Sequence, residues 1–311
     1  MNKIKLFIDG REGTTGLGIM QRLENRKDIE LIILPEEVRK DPAARKKAIN
    51  ESDVTILCLP DSAAKESVSL CENEETVILD ASTAHRTMDG WVYGLPELEE
   101  GQAEKIKNAK RIAVPGCHAS GFISLVAPLV KAGLIGEDAL LCCHSITGYS
   151  GGGKKMIASY ESAEKEEKLF APRQYGLAQS HKHIPEMTAK TGLQNAPIFC
   201  PIVADFYSGM LVTVPLFKAM LKNGATADTV KEILKSHYDG SMNIAYKDDI
   251  SEDGFADSNT LSGTDKMEIT VSGNEKRILL MARYDNLGKG ASGATVQCLE
   301  LVLDKIKGEK I

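Results

Sequence analysis

Near its start the chain reads Ile4-Lys5-Leu6-Phe7-Ile8-Asp9-Gly10-Arg11-Glu12-Gly13-Thr14-Thr15-Gly16, followed by a run from Leu17 to Leu23 with apolar residues at helical spacing. This pattern predicts a strand, a glycine-rich turn and a helix. Such a turn directs free backbone N–H groups and a helix N-terminus at one point, where a pyrophosphate binds. The glycine spacing departs from the usual G-x-G-x-x-G, so a tight turn with positive φ is the alternative interpretation. Because the turn follows the first strand of an alternating pattern, we favour cofactor binding.

The strand–helix alternation continues beyond this turn. Strand-like runs at residues 29–34, 52–60, 76–80 and 111–114 are interleaved with helical patterns at residues 63–71 and 120–133. Strands that alternate with helices form a parallel sheet with helical crossovers. The first part of the chain is therefore predicted to be a Rossmann-type nucleotide-binding domain.

The pattern changes after residue 140. Strand-like runs then follow one another, at residues 140–147, 196–204, 210–215, 267–272 and 278–284. They predict a second, α+β domain with a largely antiparallel sheet and helices on one face. A last helical pattern, at residues 293–307, has the length to return to the first domain. We thus predict an α/β fold in which residues 1–116 and 290–311 form the nucleotide domain and residues 117–289 form the substrate domain.

The composition excludes several classes of function. The chain of 311 residues carries 44 acidic and 38 basic residues, a net charge of −6, so no concentrated basic face for nucleic acid is expected. No run approaches the ~20 apolar residues that span a bilayer, and the N-terminus leads directly into a strand. We therefore expect no membrane partner and no secretion signal. Seven cysteines without paired-knuckle spacing indicate reduced thiols and a cytoplasmic protein.

The candidate cofactor contacts in the glycine turn are Gly10, Gly13, Thr14, Thr15 and Gly16. NAD-binding proteins usually carry an acidic residue near the end of the second strand, whereas NADP-binding proteins place cationic groups there. Here Glu36 and Glu37 precede Arg39 and Lys40, so these residues alone leave the choice open. Arg39 is the candidate for a 2′-phosphate, and a solvated charge run is an equally weighted alternative.

Cys117 is the strongest candidate for chemistry. It follows Pro115-Gly116 at the end of a strand and begins a helix, which places its sulfur at a helix N-terminus, where the dipole favours the thiolate. The thiolate is the competent nucleophile, although a cysteine is often only a small buried hydrophobic residue. We expect that second role for the other six, which are Cys58, Cys71, Cys142, Cys143, Cys200 and Cys298.

The acid or base that such a cysteine needs is offered by His181-Lys182-His183-Ile184-Pro185-Glu186. Alternate residues of an extended segment point to the same side, so both imidazoles can face one cleft, and Glu186 can orient one of them. A metal pair is disfavoured because no further ligand cluster accompanies the histidines, and no metal is predicted. A surface pair without function is the remaining alternative. His118 is expected to point elsewhere as its helix begins and to be structural.

These residues resemble a known family. Val114-Pro115-Gly116-Cys117, with Ala119-Ser120-Gly121 and Pro128, is similar to the signature of the N-acetyl-gamma-glutamyl-phosphate reductases, NADP-dependent enzymes of arginine biosynthesis. The resemblance covers nearly the whole chain, with further similar segments at residues 80–86, 93–97, 181–186 and 286–297. The chain departs from many relatives at Thr14-Thr15-Gly16 and at His118, and it is short for the family. In these features the chain resembles the shorter of the family's two subgroups.

The resemblance implies NADPH-dependent reduction of N-acetyl-L-glutamyl 5-phosphate to the 5-semialdehyde with release of phosphate. Cys117 would attack the acyl phosphate and form a thioester, and Arg86, near the carboxyl edge of the sheet, would receive phosphate. Asn286, with the glycine turn, would position the nicotinamide. An imidazole would assist proton transfer, and the backbone N–H of Cys117 would stabilise the oxyanion. We favour His183, which Pro185-Glu186 follows with a carboxylate for orientation, and His181 is the alternative.

Two further features complete these expectations. Residues 148–155 are predicted to form a mobile loop in which Lys154 or Lys155 meets the substrate's α-carboxylate, with a flexible surface loop as the alternative. The family resemblance implies a homo-oligomer, dimer or tetramer, with the second domain of a glyceraldehyde-3-phosphate-dehydrogenase-like fold used for oligomerisation.

Other functions fit parts of the pattern. An aspartate-semialdehyde dehydrogenase or a glyceraldehyde-3-phosphate-like enzyme would share the nucleotide domain and the cysteine, but those relatives lack the His-x-His-x-Pro-Glu run. A cysteine hydrolase or acyltransferase would use Cys117 without a nicotinamide, which the glycine turn disfavours. A nucleotide sensor on the same fold is the third alternative, which the cysteine and its histidine pair disfavour.

Overall fold

The computed structural model describes residues 3–309, except for the side chain of Glu309. The chain divides into two compact units. The first contains Met1–Pro96, Gly101–Pro115 and Ala291–Ile311, and the second contains Glu97–Glu100 and Gly116–Gly290. Residues 1, 2, 310 and 311 of the predicted nucleotide domain lie outside the described residues.

The unit boundaries differ from the predicted ones at three places. Gly116, Gly290 and residues 97–100, which the sequence places in the first domain, belong to the second unit. Residues 97–100 are joined to the second unit by an ion pair, in which both carboxylate oxygens of Glu97 lie 2.8 Å from Lys289 Nζ. Lys289 is almost fully buried, so its ammonium group needs this partner.

A parallel six-stranded sheet forms the centre of the first unit. Its strands are β1 (Ile4–Asp9), β2 (Ile29–Ile32), β3 (Val54–Leu57), β4 (Val77–Asp80), β5 (Val92–Tyr93) and β6 (Arg111–Ala113). Their order is β2-β1-β3-β4-β6-β5, and each pairing between these described strands is parallel. β3 and β4 are buried along their whole length, as expected where helices cover both faces of a parallel sheet.

The helices of the first unit are α1 (Thr14–Leu23), α2 (Pro42–Glu51), α3 (Asp61–Ser69), α4 (Gln102–Asn108) and α9 (Gly293–Glu309). Sequence analysis missed α2, because it has few apolar residues at helical spacing. Its start nevertheless carries a cap signal, since Asp41 accepts hydrogen bonds from the N–H groups of Ala43 and Ala44, and Pro42 occupies the first turn. α9 packs its apolar side into the core of this unit, beside α1 and α4.

A mixed seven-stranded sheet forms the centre of the second unit. Its strands are β7 (Cys142–Gly148), β8 (Arg173–Gln174), β9 (Ile198–Ala204), β10 (Met210–Phe217), β11 (Ile244–Tyr246), β12 (Met267–Asn274) and β13 (Arg277–Tyr284). Their order is β11-β12-β13-β10-β7-β9-β8. Four of the six pairings between the described strands are antiparallel, and β7–β9 and β11–β12 are parallel. The predicted fold class, with a largely antiparallel second sheet, is confirmed.

The helices of the second unit are α5 (Cys117–Lys131), α6 (Gly153–Tyr160), α7 (Ile184–Thr191) and α8 (Ala227–His237). α5 is buried at every residue from 118 to 129, because it packs on β10 and β13 and contacts α7 and α8. An amphipathic pattern is therefore weak in α5, which is apolar on most of its surface. A π-helical turn, Gly288–Ser292, precedes α9.

The prediction of a loop at residues 148–155 is wrong. A 3₁₀ turn at Tyr149–Gly152 leads directly into α6, which places Lys154 and Lys155 in a helical first turn. Gly153 has φ +75° and provides the bend between the two helical segments. Across residues 3–309, no helix combines the length and the apolar content that crossing a membrane requires.

Candidate active site

The candidate nucleophile stands at a helix N-terminus, as its sequence context predicts. Gly116 is the N-cap residue in an extended conformation, and Cys117, which is half-buried, is the first residue of α5. The Gly116 carbonyl accepts both the backbone N–H of Ser120, at 2.9 Å, and its hydroxyl, at 3.1 Å. The first turn is thereby closed, and the N–H groups of a helix start lie near the sulfur, where they favour its anionic form.

Glu186 ties another helix to this turn. Its side chain is buried, and Oε2 accepts a hydrogen bond from the Gly116 N–H at 3.2 Å. From the sequence we expect this carboxylate to orient an imidazole. One oxygen of this carboxylate joins the first turn of α7 to the residue before Cys117, so α7 and the nucleophile turn are held together. Its role in orienting an imidazole stays a prediction.

His181 and His183 lie together, but through a turn and not through an extended segment. The His183 N–H donates to His181 Nδ1 at 3.2 Å, and the Ile184 N–H donates to the His181 carbonyl at 3.0 Å. The two ring centroids are 4.7 Å apart. The extended conformation assumed from the sequence is wrong, although the expected proximity of the rings is found.

The turn distinguishes the two imidazoles chemically. His181 Nδ1 is an acceptor, because a backbone N–H donates to it, so a neutral His181 carries its proton on Nε2. His183 is the N-cap residue of α7 and is buried. The tautomer of His181 thus suits hydrogen-bond donation from Nε2, and the assignment of proton transfer to His183 stays a prediction.

His118 belongs to the same cluster, contrary to the expectation that it points elsewhere. Its ring centroid lies 5.8 Å from that of His181 and 5.6 Å from that of His183. Burial, with the nearby charge of His181, lowers the pKa of His118 to about 3. His118 is therefore neutral at physiological pH, and a neutral ring adds no charge against the histidine pair.

Two hydroxyl groups hold the His118 ring. Nδ1 lies 2.6 Å from Ser145 Oγ on β7, and Nε2 lies 2.7 Å from Tyr175 Oη. Burial and the nearby charge of Cys117 raise the pKa of Tyr175, so its hydroxyl stays protonated. Sequence reasoning missed both hydroxyl residues, because their distance from Cys117 along the chain follows no helical or strand period.

The glycine turn of the first unit has the geometry of a phosphate-binding turn. Gly10 has φ +85°, and a Cβ there would lie 2.3 Å from the Cys58 carbonyl oxygen. A Cβ on Gly16 would lie 2.6 Å from the Gly10 carbonyl oxygen, whereas Gly13 has room, with 3.6 Å to that same atom. Gly10 and Gly16 pack the turn tightly, and Gly13 is exposed at the start of α1. A diphosphate fits this arrangement.

Thr14 supports the same fit. Its Oγ1 is buried and finds no hydrogen-bond partner among the residues described. A buried hydroxyl without a partner is costly unless a ligand or water completes it. Thr14 begins α1, where a phosphate oxygen would accept both this hydroxyl and the helix N–H groups. Thr15, the second residue of α1, is half-buried.

Arg39 reaches the glycine turn of its own unit. Its Nη2 lies 3.3 Å from Glu36 Oε1, and its Nη1 lies 3.9 Å from Glu12 Oε1. Arg11 Nε also contacts Glu12, at 3.2 Å. Two guanidinium groups therefore flank one exposed carboxylate beside the predicted cofactor turn.

The predicted substrate contacts are Arg86 and Lys154. Arg86 is buried, and it donates through Nε to the Val114 carbonyl at 2.9 Å and through Nη2 to the Ala81 carbonyl at 3.1 Å. These bonds connect the loops that follow β4 and β6. Lys154 is exposed on the first turn of α6. The phosphate role of Arg86 and the carboxylate role of Lys154 stay predictions.

Asn286 is buried within the second unit. Its Nδ2 donates to Ser150 Oγ at 2.9 Å, and its Oδ1 accepts the Gly209 N–H at 2.8 Å. The amide thus joins the segment after β13 to the 3₁₀ turn before α6 and to the start of β10. Its predicted contact with the nicotinamide stays a prediction.

Family models match both units. The model described as "Semialdehyde dehydrogenase, NAD binding domain" matches residues 35–109, and "Semialdehyde dehydrogenase, dimerisation domain" matches residues 117–286. Solved structures show the same fold. Aspartate semialdehyde dehydrogenase II complexed with ASA, from Vibrio cholerae, has a TM-score of 0.74 at 15% identity, covering 98% of this chain and 99% of that one. The fold and the domain matches define the semialdehyde dehydrogenase class.

Curated relatives narrow this class. N-acetyl-gamma-glutamyl-phosphate reductase 2 of Nostoc sp. is 45% identical over 97% of this chain and 98% of its own length. The N-acetyl-gamma-glutamyl-phosphate reductase of Chelativorans sp. is 45% identical over 97% of this chain and 99% of its length, and that of Mesorhizobium japonicum is 44% identical over 97% and 99%. The chain belongs to the N-acetyl-gamma-glutamyl-phosphate reductase family, which confirms the family resemblance.

Proposed function

We propose that the protein catalyses the NADPH-dependent reduction of N-acetyl-L-glutamyl 5-phosphate to N-acetyl-L-glutamate 5-semialdehyde, with release of phosphate, as a step of arginine biosynthesis. The observation that carries this proposal is Cys117 at the start of α5, next to a cluster of three histidines, in a chain 45% identical to named reductases. An acyl phosphate is the substrate class that such a thiol can convert to a thioester.

In the first step the sulfur of Cys117 attacks the acyl carbon. A C–S bond forms, and the bond from the acyl carbon to the phosphate oxygen breaks, so that phosphate leaves with the bonding electrons. His183, as a neutral imidazole, accepts the thiol proton. The backbone N–H of Cys117, at the start of α5, donates to the oxygen of the tetrahedral intermediate.

The nicotinamide cofactor, when bound, supplies the hydride that reduces the thioester to the aldehyde. The glycine turn would hold its diphosphate at the open start of α1, at Gly13, and through Thr14. His181, with its proton on Nε2, donates to the substrate, and His183 holds the proton that neutralises the departing sulfur.

NADP is the preferred cofactor in this proposal. Arg39 can exchange a carboxylate partner for a phosphate, because its ion pairs, at 3.3 and 3.9 Å, are to the exposed carboxylates of Glu36 and Glu12. A dianionic 2′-phosphate interacts more strongly with a guanidinium group than a single exposed carboxylate does. Glu36, the residue that would accept the 2′-hydroxyl of NAD, is engaged with Arg39 instead.

We also propose a homo-oligomer in the cytoplasm. The second unit matches a family model described as a dimerisation domain. Large apolar side chains are exposed on one face of its sheet, at Ile198 on β9, Phe217 on β10 and Leu279 on β13. Seven cysteines present as thiols support a reducing compartment.

The test is a steady-state assay in the oxidative direction, with phosphate, NADP and N-acetylglutamate 5-semialdehyde. We expect turnover with this aldehyde and phosphate, and a kcat/KM for aspartate semialdehyde lower by at least ~100-fold, since aspartate semialdehyde is one methylene shorter and lacks the acetyl group. A preference for aspartate semialdehyde would replace the proposal with the aspartate-semialdehyde dehydrogenase activity. Absence of NADP binding would favour a hydrolase or acyltransferase.

A further inference from the structure

The hydroxyl group of Tyr284 is inserted at the first turn of α5. Tyr284 is the last residue of β13 and is fully buried. Its hydroxyl donates to the Cys117 carbonyl oxygen at 2.5 Å and accepts the Gly121 N–H at 3.0 Å. The donor and acceptor roles are unambiguous, because a carbonyl only accepts and a backbone N–H only donates.

The two groups that Tyr284 contacts are an i and i+4 pair of α5, the Cys117 carbonyl and the Gly121 N–H. In an α-helix such a pair is joined by a hydrogen bond, and this pair directly follows that of Gly116 and Ser120. Helix ends are the least constrained part of a helix, since their last groups lack partners on one side. Burial, with the nearby charge of Cys117, raises the pKa of Tyr284, so the hydroxyl keeps the proton that it donates.

Gly121 provides the space for this contact. A Cβ at that position would lie 2.7 Å from Tyr284 Oη and 2.8 Å from Val212 Cγ2. Any larger residue would therefore force the ring away from the helix. Gly121 is thus required at this position so that Tyr284 can reach the turn that carries Cys117.

Gly290 lies against the side chain of the same cysteine. A Cβ on Gly290 would lie 2.9 Å from the Cys117 Cβ. The Gly290 N–H donates to the Asp285 carbonyl at 3.0 Å, and this bond fixes the turn after β13. One short segment, residues 284–290, thus contacts the backbone of Cys117 at one end and its Cβ at the other.

We propose that Tyr284 and Gly290 are positioning residues that together hold Cys117 in its reactive orientation. Tyr284 fixes the backbone of the first turn, and Gly290 leaves only the space that the Cys117 Cβ occupies. The inference rests on the proposed function, in that the held thiol is the group that attacks the acyl phosphate. A nucleophile has to be held to about 0.5 Å, which the start of a helix alone does not provide.

The test uses the hydroxyl-deletion variant Tyr284→Phe and a matched control. Tyr238 is also buried in the second unit, and its hydroxyl donates to the Ser124 carbonyl of the same helix at 2.7 Å. Tyr238→Phe therefore removes an equivalent hydrogen bond to α5 away from Cys117. The measurement is the rate of alkylation by iodoacetamide at pH 6 to 10, followed at each cysteine by peptide mass spectrometry, without substrate or cofactor.

We expect Tyr284→Phe to slow alkylation of Cys117 by about tenfold and to raise the apparent pKa of its thiol, since the sulfur moves away from the helix N–H groups. Tyr238→Phe should leave the Cys117 profile unchanged, and Cys142 should react equally in all variants. Gly290→Ala, which keeps the hydroxyl, should also slow Cys117 and serves as the deciding variant if Tyr284→Phe does not fold.

An unchanged Cys117 profile in Tyr284→Phe and in Gly290→Ala would overturn the inference. Equal slowing in Tyr238→Phe would do the same, because a general loosening of α5 would then explain the result. Because neither substrate nor cofactor is present, these outcomes are independent of the assay with the semialdehyde. Failure of that assay would remove the proposed function and leave the positioning of Cys117 measurable.

Discussion

The starts of α1 and α5 are locally alike and differ in what surrounds them. Both helices begin after a glycine N-cap in an extended conformation, Gly13 with φ −74° and ψ 165°, and Gly116 with φ −80° and ψ 148°, and neither N-cap has a capping side chain. Gly13 is exposed. The start of α5 is enclosed instead, by Glu186, Tyr284 and Gly290.

The difference shows how one local structure serves two chemical purposes. A helix start without a side-chain cap leaves N–H groups available for an anion. In the proposed function the anion at α1 is the cofactor's diphosphate, for which the exposed Gly13 leaves room. The anion proposed at α5 is the protein's own Cys117 sulfur, at a helix start that its neighbours enclose. Substitutions can alter one helix start at a time.

The largest expected effect is at the enclosed site. His183→Asn should lower kcat by roughly 10²–10⁴-fold, the range for loss of a general acid–base group. His181→Asn keeps the neighbouring ring and should lower kcat less, with a larger share of its effect on KM, because His181 is expected to bind and not to transfer a proton. Steady-state kinetics of both variants measure the difference, and the reverse ranking would exchange the two roles.

At the open site, Arg39→Ala should raise KM for NADPH by about 10–100-fold, the loss expected for a hydrogen bond between charged groups. KM for NADH should stay within about threefold, because NADH has no 2′-phosphate to lose a contact. Lys40→Ala is the matched control, because Lys40 is the next residue and an exposed cation. Equal increases in KM for NADPH and NADH would show that Arg39 maintains the conformation of the turn and does not bind the 2′-phosphate.

Gly13→Asp tests whether the start of α1 receives an anion. An N-cap aspartate accepts the helix N–H groups and stabilises the helix slightly relative to glycine, by a few tenths of a kcal/mol. Its charge should nevertheless weaken NADPH binding by about tenfold, since it competes with the diphosphate for the same groups. Calorimetry gives the affinity, and thermal unfolding gives the stability. A variant that binds NADPH like the wild type would contradict the assignment, and Gly13→Ser is the uncharged control.

The last expected effect is on stability and not on turnover or binding, a pH dependence from the enclosed site. The pKa of His118 falls from 6.5 to about 3 on folding, so below pH 6.5 the unfolded chain binds a proton that the folded protein does not. Stability should therefore decrease as pH falls from 6.5 towards 3, by on the order of 1 kcal/mol per pH unit, and be unaffected by this group above pH 6.5.

Urea unfolding of the wild type and of His118→Gln at pH 7, 6, 5 and 4 measures this contribution. The wild type should lose more stability than the variant between pH 6 and pH 4. Parallel pH profiles for the two proteins would mean that His118 is protonated in the folded state and that the cluster carries a further positive charge.

The two helix starts also differ in how far the sequence predicts them. Gly10, Gly13 and Gly16 follow a strand directly, and the local spacing is enough to predict the turn and the start of α1. Cys117 is equally local, since Pro115-Gly116 marks the start of α5. The residues around Cys117 come from α7, β7 and β13, far along the chain, and the periodicity of one element carries no information about its distant neighbours.

Individual residues illustrate this limit. His118 is adjacent to Cys117, yet its role depends on Ser145 and Tyr175, which fold beside it only in the complete second unit. The histidine pair was predicted to be close, but its turn depends on a hydrogen bond from the His183 N–H to a side chain, which strand alternation does not describe. Residues 148–155 are rich in glycine, which predicts a loop, whereas in the structure Gly148 ends β7 and residues 149–155 are helical.

In the proposed function Cys117 forms a covalent acyl intermediate. The direct measurement is intact-protein and peptide mass spectrometry after rapid mixing with N-acetyl-L-glutamyl 5-phosphate in the absence of NADPH. Wild-type protein should gain one N-acetylglutamyl group on the peptide that contains Cys117 and release one phosphate per chain. Cys117→Ser should bind NADPH normally and gain no such group. Steady-state turnover of Cys117→Ser, or an acyl group on another residue of the wild type, would contradict the account.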